Sequence, residues 1–322
     1  MLLTAMIPAH NAAETIEAAI LSVLEQDFQD FELWILENGS SDRTVEIARK
    51  YEGPRVKVFE LGPIGFQKAL TWGIEMAQTP YIARMDADDI CLPFRFSSQL
   101  WVLEKHPEYV LCGSDVMVLT PFNHIMEIRH AGRRSGEVGF YHMSDIPGKE
   151  KRFFGDPNVI FRREAALKVG LYDDRFPVGD VSLWIRMLKV SKGYELAKPT
   201  LLYRWIPRSM SNTLKFNQQT LACRLAYYGN HYLHAEEILN LPEQKISPEG
   251  PPDFWIRVAL IELLGGNKAA YKIALNKSGK QITLVDRLKM WFYPLYRLYH
   301  RAVHGVNYIP RKDLEIRYLG RV

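Results

Sequence analysis

The sequence predicts an α/β protein in which a mostly parallel, mixed sheet is flanked by helices and followed by a C-terminal helical extension. Over the first hundred residues, apolar runs alternate with helical patterns about every 25 to 30 residues, as in parallel strands joined by crossover helices. Beyond residue 240, the proline-rich stretch LPEQKISPEGPPD precedes further helical patterns, which indicates a separate extension.

The elements of the first hundred residues follow one another closely. Apolar runs predict strands at 2–7, 31–36, 56–61 and 81–85, and helical patterns predict helices at 16–26, 41–51 and 67–77. Ligands of parallel sheets bind beyond the carboxyl ends of the strands. The polar segments PAHN, ENGSSD and DADD, which follow strands one, two and four, are therefore candidate ligand-binding loops.

The pattern loosens from about 109 to 205. Short strand-like pieces, YVLCGSDVMVL, NVIFR and ELAKPTLLYRW, accompany one clear helical segment, SLWIRMLKV at 182–190. We expect a first domain at 1–212 and a helical, basic extension at 213–322, with a linker near 241–252. The sequence has no internal repeat.

Composition narrows the class of protein. The chain of 322 residues is 47% hydrophobic and 24% charged, as in globular proteins with a sizeable core. Three cysteines without a CxxC pair indicate neither a disulfide framework nor a zinc site, which favours a reducing compartment. The N-terminal run lacks the basic flank of a signal peptide, and no apolar stretch approaches the roughly 20 residues that span a bilayer. We expect a cytoplasmic protein, soluble or peripheral to the membrane.

The segment DADD places three carboxylates within four positions. Close carboxylates repel one another, but a divalent cation would make such a strand end stable, and oxygen ligands suit Mg²⁺ or Mn²⁺. Asp86 and Asp88, two apart on an extended chain, are the candidate metal ligands. Asp89 is expected to cap a helix beginning near Pro93 or to order the loop. The alternative is an ordinary Asp-rich turn between a strand and a helix.

Several segments in order resemble the nucleotide-sugar glycosyltransferases of the GT-A fold, specifically the inverting family 2. They are IPAHNAAETIEAAILSVLEQ, ILENGSSDRT, GFQKALTWGIEMAQTPYIARMDADDICLP, VIFRREAALKVGLYDDRF, GDVSLWIRM and LLYRW. The resemblance covers about residues 2 to 212. It implies a GT-A, Rossmann-like sheet and transfer of a hexose from a nucleotide-sugar donor.

The resemblance also implies roles for individual residues. Asp86 and Asp88 would hold Mg²⁺ or Mn²⁺ against the donor diphosphate. The nucleotide-sugar-binding set comprises Pro8, Ala9, His10, Asn11, Glu14, Glu37, Asn38, Lys68, Asp86 and Arg204. Glu37 would face the base, where the family usually has Asp. The alternatives are a plain turn at Glu37 and Asn38, a loop histidine at His10 and an ordinary exposed lysine at Lys68.

Inverting transfer needs a base that deprotonates the acceptor hydroxyl. The family takes it from an acidic pair before Leu-Trp; here the segment reads VGDVSLW, so Gly179 replaces the first acid and Asp180 is the predicted catalytic base. The alternative for Asp180 is a helix cap. Ile206 stands where the family commonly has a histidine, and Arg204 or Arg208 is expected to take over its phosphate contact.

The C-terminal extension is strongly basic. Residues 268 to 322 carry 12 Lys or Arg against 3 Asp or Glu, a net charge of +9 that leaves −5 for the rest of a chain whose total is +4. Residues 280–304 form a basic amphipathic pattern rich in Trp and Tyr, which favours an anionic membrane surface. The alternative is a helix packed against the catalytic domain. The catalytic motifs give nucleic acid no role.

These observations predict an inverting, metal-dependent glycosyltransferase that uses a nucleotide-sugar donor, preferably UDP-linked. Its acceptor would be a lipid-linked or growing glycan at the inner face of the cell membrane. The alternative is a catalytically degenerate sugar-nucleotide-binding or scaffold protein of the same fold, which the loss of the acid before Asp180 favours. Nucleotidyl transfer is disfavoured, because the loop PAHNAAE lacks the glycines of a phosphate-binding loop.

Overall fold

The computed structural model describes residues 1–129, 134–139, 156–174, 179–206 and 268–279, together with Trp255, Val258, Ala259 and Glu262. Its strands are β1 (Leu3–Ala9), β2 (Phe31–Glu37), β3 (Val56–Glu60), β4 (Tyr81–Arg84), β5 (Ile90–Cys91), β6 (Tyr109–Leu119), β7 (Ile125–Arg129), β8 (Gly136–Val138), β9 (Ile160–Arg162) and β10 (Lys192–Arg204). The helices are α1 (Ile16–Leu24), α2 (Thr44–Arg49), α3 (Phe66–Met76), α4 (Arg95–Lys105), α5 (Arg163–Lys168), α6 (Gly179–Val190) and α7 (Lys268–Ser278).

The strands form one sheet in the order β3-β2-β1-β4-β9-β6-β10-β5, with β7 beside β6 and β8 beside β10. The first half is parallel, since β1 pairs with β2 and β4, and β2 pairs with β3. Every residue of β1, β2 and β4 is buried, as expected of parallel strands covered by helices on both faces. The predicted α/β architecture is confirmed, with element ends within three residues of those expected.

The second half of the sheet is mixed. Strand β9 lies antiparallel between β4 and β6, and β10 runs parallel to β6 but antiparallel to β5 and β8. The predicted segment YVLCGSDVMVL is strand β6, of 11 residues, and ELAKPTLLYRW matches the 13-residue strand β10 to within three residues at each end. The register of β10 on β6 shifts on both sides of Pro199, which has no N–H to donate.

Two hydrophobic layers hold the helices to the sheet. On one face, Met6 and Leu36 pack with residues of α3 and α6, including Trp184. On the other, Ile7 packs with residues of α1 and α4. Gly73 lies where α3 approaches the sheet most closely, since a Cβ there would stand 2.9 Å from Leu36 Cδ1. A glycine inside a helix is explained by this close contact.

Part of the C-terminal extension packs on the β6–β7 hairpin. Trp255, Val258 and Ala259 are buried together with Val118 and Met126, and Ala274 of α7 joins this cluster. Among the described residues, no helix has the length and hydropathy needed to cross a membrane. The predicted linker near 241–252, the basic pattern at 280–304 and Arg208 all lie outside the described residues.

Candidate functional site

The three aspartates of the sequence DADD lie in the loop between β4 and β5. At least one carboxylate oxygen from each of Asp86, Asp88 and Asp89 lies within 4.8 Å of the others. The side chain of Asp86 is 29% exposed, whereas Asp89 is buried. Arg84, the last residue of β4, is also buried and places Nη2 2.6 Å from Asp86 Oδ1. The guanidinium stacks over the Phe66 ring, 4.9 Å from its centroid, at the start of α3.

Burial and mutual repulsion perturb these carboxyl groups. Burial, and then the charge of Asp86, raises the pKa of Asp88 to about 7. Burial and the charges of Asp88 and Asp86 also raise the pKa of Asp89. The raised pKa values reflect repulsion between carboxylates and their removal from water. A bound cation would relieve that repulsion and so stabilise the cluster.

The donor set fits Mg²⁺ or Mn²⁺. Its ligand atoms are all carboxylate oxygens, which these ions prefer. In addition, Asp89 Oδ2 is buried and accepts no hydrogen bond from any described residue. A buried oxygen of this kind is costly unless something positive meets it. The structure thus places Asp89 beside the two candidate ligands predicted from the sequence.

Asp89 also ties its loop to β10. Its Oδ1 accepts a hydrogen bond of 2.8 Å from the backbone N–H of Arg204. The side chain of Arg204 returns the contact, since Nε donates to the carbonyl oxygen of Asp88 at 2.9 Å. Helix α4 begins at Arg95. Its N-cap residue is Phe94, and no side-chain hydrogen bond caps the helix. The capping role considered for Asp89 is therefore wrong, and its role in ordering the loop is confirmed.

A buried arginine that sequence reasoning missed supports the same loop from below. Arg95 is wholly buried and donates from Nη2 to the carbonyl oxygen of Arg84 at 2.7 Å. Its Nε donates to Gln99 Oε1 at 3.1 Å, and Gln99 Nε2 donates to the carbonyl oxygen of Asn158 at 2.7 Å. These contacts fix the end of β4, from which the acidic loop starts.

The loops after β1 and β2 are joined by hydrogen bonds. Asn11, whose φ is 49°, accepts at Oδ1 from the backbone N–H of Ser41 at 2.8 Å. The ring of His10 lies within hydrogen-bond distance, 3.0 Å, of the carbonyl oxygen of Asn38. Asn38 Oδ1 in turn accepts from the backbone N–H of Gly65, 2.9 Å away, before α3. The structure therefore unites His10, Asn11 and Asn38 in one surface.

Glu37 ends β2 beside Ala9 of β1, and Pro8 lies next to Leu36. Pro8, Ala9 and Glu37 are buried, and Glu37 Oε1 accepts a hydrogen bond from the backbone N–H of Ser40. Gly39 has a φ of 75°, and a Cβ there would stand 2.8 Å from the backbone nitrogen of Pro63. The longer side chain of glutamate is thus accommodated by its own tightly turned loop.

Two predicted nucleotide-binding residues are exposed at the starts of helices. Glu14 precedes α1, and Lys68 lies in the first turn of α3, two residues after the Phe66 ring that packs against Arg84. Arg204 is largely buried at the end of β10 and contacts the acidic loop directly. Ile206 follows β10 by two residues. The predicted residues thus come from the carboxyl ends of β1, β2, β4 and β10 and from the starts of α1 and α3.

Asp180 lies in the first turn of α6, which begins at Gly179, three residues earlier than the sequence predicted. It is buried, and burial raises the pKa of its carboxyl group. The backbone N–H of Val181, and then the charge of Arg84, oppose this rise, whereas the charge of Asp86 adds to it. Asp180 is therefore within electrostatic reach of the acidic loop. A raised pKa suits a carboxylate that accepts a proton near neutral pH.

Comparison with known proteins identifies the family of this chain. The model of the family described as Glycosyl transferase family 2 matches residues 4–170. The O-antigen biosynthesis glycosyltransferase WbnJ of Escherichia coli is 28% identical over 236 residues, which cover 70% of this chain and 85% of WbnJ. The amylovoran biosynthesis glycosyltransferase AmsE of Erwinia amylovora is 29% identical over 182 residues, which cover 55% of this chain and 65% of AmsE.

Solved structures show a similar fold. Residues 1–349 of Staphylococcus aureus TarS in complex with UDP match with a TM-score of 0.57 at 15% identity, covering 88% of this chain and 93% of that one. GalNAc-T7 with UDP, GalNAc and Mn²⁺ matches with a TM-score of 0.57 at 14% identity, covering 77% of this chain and 52% of that one. The likeness is one of fold, namely the GT-A fold expected from the sequence.

Proposed function

Because the chain belongs to glycosyl transferase family 2 and is a glycosyltransferase, we propose that it transfers a hexose from a UDP-linked donor with inversion at the anomeric carbon. The carrying observation is the cluster of Asp86, Asp88 and Asp89, which lies at the carboxyl end of β4 with Asp180 in electrostatic reach. TarS, which shares the fold, binds UDP and UDP-GlcNAc. These complexes support a uridine nucleotide as the first donor to test.

The donor nucleotide would lie across the ends of β1 and β2. There Glu37 and Asn38 would meet the base and ribose, and His10 and Asn11 would line the loop after β1. Lys68, exposed in the first turn of α3, would approach the phosphates. Arg204 would support the phosphates through the acidic loop, whose backbone it holds. A nucleotide placed in this way directs its diphosphate towards Asp86.

The acidic loop would hold Mg²⁺ or Mn²⁺ through Asp86 and Asp88, with Asp89 Oδ2 as a third oxygen. When bound, the ion would neutralise the charge that develops on the departing nucleoside diphosphate. Arg84 holds Asp86 by an ion pair and so keeps that carboxylate at the mouth of the loop.

Asp180 would accept the proton of the acceptor hydroxyl as its oxygen attacks the anomeric carbon. Its carboxylate lies in the first turn of α6, where burial raises its pKa and so makes it a stronger base, while the backbone N–H of Val181 and the charge of Arg84 partly oppose that rise. The replacement of the preceding acid by Gly179 gives the alternative of a donor-binding protein without transfer activity. The transferase would consume the donor, whereas the donor-binding protein would not.

A panel of UDP-, GDP- and dTDP-sugars, each with Mg²⁺, Mn²⁺ or EDTA, tests the proposal. We expect release of the nucleoside diphosphate from a UDP-sugar only with a divalent ion, and faster release when a lipid-linked glycan is added. Chromatography of the nucleotide products measures both. Tight UDP-sugar binding without release, in the presence of acceptor, would support the degenerate alternative, and absence of binding to every donor would contradict both.

We further propose that the acceptor is a lipid-linked or growing glycan at the inner face of the cell membrane, as the names of WbnJ and AmsE suggest for polysaccharide synthesis. The basic extension at 213–322 would bring the catalytic domain of residues 1–212 to an anionic membrane surface. Support comes from the net charge of +9 over residues 268–322.

Charge reversal in the segment 280–304 is expected to abolish binding to anionic liposomes. The variant carries Arg287→Glu, Lys289→Glu, Arg297→Glu and Arg301→Glu. Each basic residue near such a surface contributes about 1 kcal/mol to membrane binding. Four reversals should therefore outweigh the binding energy supplied by the apolar side chains of the segment. Sedimentation with phosphatidylglycerol vesicles measures binding, and donor turnover in solution is the control. Binding that survives both the reversals and high salt would favour a helix packed on the catalytic domain.

A further inference from the structure

The side chain of Arg204 has a second contact, which leads away from the acidic loop. Its Nη1 donates to Asn123 Oδ1, in the turn between β6 and β7. Asn123 has a φ of 64°, a conformation that asparagine tolerates better than most residues. The turn is closed by hydrogen bonds from the backbone N–H of Thr120 to His124 O at 2.7 Å and from that of Asn123 to Thr120 O at 3.0 Å. The position of Asn123 therefore depends on this turn.

Glu262 of the C-terminal extension holds the same turn with both carboxylate oxygens. Its Oε1 accepts from the hydroxyl of Thr120 at 2.9 Å, and its Oε2 lies 2.5 Å from His124 Nδ1. The residue is completely buried. Removing a carboxylate from water is unfavourable unless hydrogen bonds replace the lost solvation, so the burial of Glu262 depends on these contacts.

The apolar surroundings keep Glu262 in place. Trp255, Val258 and Ala259 have helical backbone and lie seven, four and three residues before Glu262, which is the spacing of one helical face. This face packs on Val118 of β6 and Met126 of β7. Glu262 is thus the polar end of a hydrophobic contact between the extension and the β6–β7 hairpin.

We propose that Glu262 is a positioning residue for the donor site. By fixing the turn at 120–124, it holds Asn123 against the side chain of Arg204, whose Nε then fixes the acidic loop at Asp88 O. The consequence for catalysis rests on the proposed function. The inference that the extension orders the acidic loop is independent of that function, because it is drawn from the hydrogen bonds described above.

Two substitutions interrupt this path at different points. Glu262→Gln keeps the size of the side chain but loses the charge that Thr120 and His124 contact. Asn123→Gly removes the acceptor for Arg204, and glycine adopts a φ of 64° without strain. In the full chain without nucleotide, we expect amide hydrogen exchange in the segment 86–92 to become about tenfold faster in each variant, the equivalent of one lost charge-assisted hydrogen bond.

A conservative variant at Asn123 and a variant elsewhere on the hairpin separate positioning from general stability. Asn123→Asp keeps an oxygen for Arg204 and should restore slow exchange in 86–92. Glu127→Gln changes a half-buried glutamate on the same hairpin, which pairs with Arg129 at 3.0 Å and lies off the path from Glu262 to Arg204, and should leave 86–92 unchanged. Calorimetric titration with UDP and Mn²⁺ should show Kd raised about tenfold by Glu262→Gln and Asn123→Gly, but not by the controls.

Faster exchange confined to 118–126, with 86–92 unaffected, would overturn the inference. So would equal behaviour of Asn123→Gly and Asn123→Asp. If Glu262→Gln does not fold, the two Asn123 variants decide the outcome. If the parent protein binds no UDP, the proposed donor is wrong, and the exchange measurements still decide whether the extension orders the acidic loop.

Discussion

Replacing Asp88 with Asn is expected to remove most of the transferase activity. The substitution keeps the size of the side chain and one oxygen, but removes a charged ligand from the cluster with Asp86 and Asp89. Charge stabilisation by a bound divalent ion is worth several kcal/mol in the transition state, so we expect a loss of at least about a hundredfold in kcat/KM. Donor binding should lose its dependence on Mg²⁺ or Mn²⁺ in parallel.

Release of the nucleoside diphosphate measures the activity of Asp88→Asn, and calorimetry with UDP measures binding with and without metal. Asp30→Asn is a suitable control. Asp30 is exposed and directly precedes β2, at the opposite end of the parallel strands from the acidic loop, and it lies 3.8 Å from the terminal amine of Met1. Normal turnover by Asp88→Asn in the presence of EDTA would show that the acidic loop serves another purpose.

Replacing Asp180 with Asn is expected to separate donor binding from transfer. Asparagine keeps the size of the side chain and an oxygen for the backbone N–H of Val181, but it cannot take the proton of the acceptor hydroxyl. Loss of one general base typically lowers the rate by about 10² to 10⁴. The affinity for UDP with metal should change little, because the acidic loop and the loops after β1 and β2 remain intact.

Single-turnover transfer to acceptor, together with calorimetric UDP binding, tests this separation. Asp174→Asn is the matched control, since Asp174 is an exposed acid shortly before α6. A transfer rate within a few-fold of the parent would contradict the assignment of Asp180. Loss of transfer in the Asp174 variant instead would move the base to that residue or to its neighbour Asp173.

The first half of the fold was predictable because its signals are local. Apolar runs and helical periodicity located β1 to β4 and α1 to α3 to within three residues, and their alternation implied parallel pairing. Strands β5 and β8 have only two and three residues, and each exists because β10 offers a partner distant in sequence. A strand that forms only because a distant partner pairs with it has no recognisable pattern in its own sequence.

The part of the candidate site formed by loops at strand ends was predictable from the sequence. The contacts made by side chains distant in sequence were not. DADD marked the acidic loop, but nothing in the periodicity of LPFRF shows that Arg95 is wholly buried beneath it. Two features of the sequence do point to the contacts of Asn123 and Glu262. Asn123 lies in a turn, where asparagine often adopts positive φ, and Glu262 interrupts the apolar face formed with Trp255 and Val258.

Strand β10 has a consequence for how this protein can be divided. The family match ends at residue 170, yet β10 at Lys192–Arg204 lies inside the sheet, between β6 and β5, and also pairs with β8. A fragment cut at the end of the match would lack this strand, leaving without partners the edge of β6 that pairs with β10 and the whole of β5. Open edges of this kind recruit other chains. The smallest soluble fragment should therefore extend past Arg204, well beyond the segment by which the family is recognised.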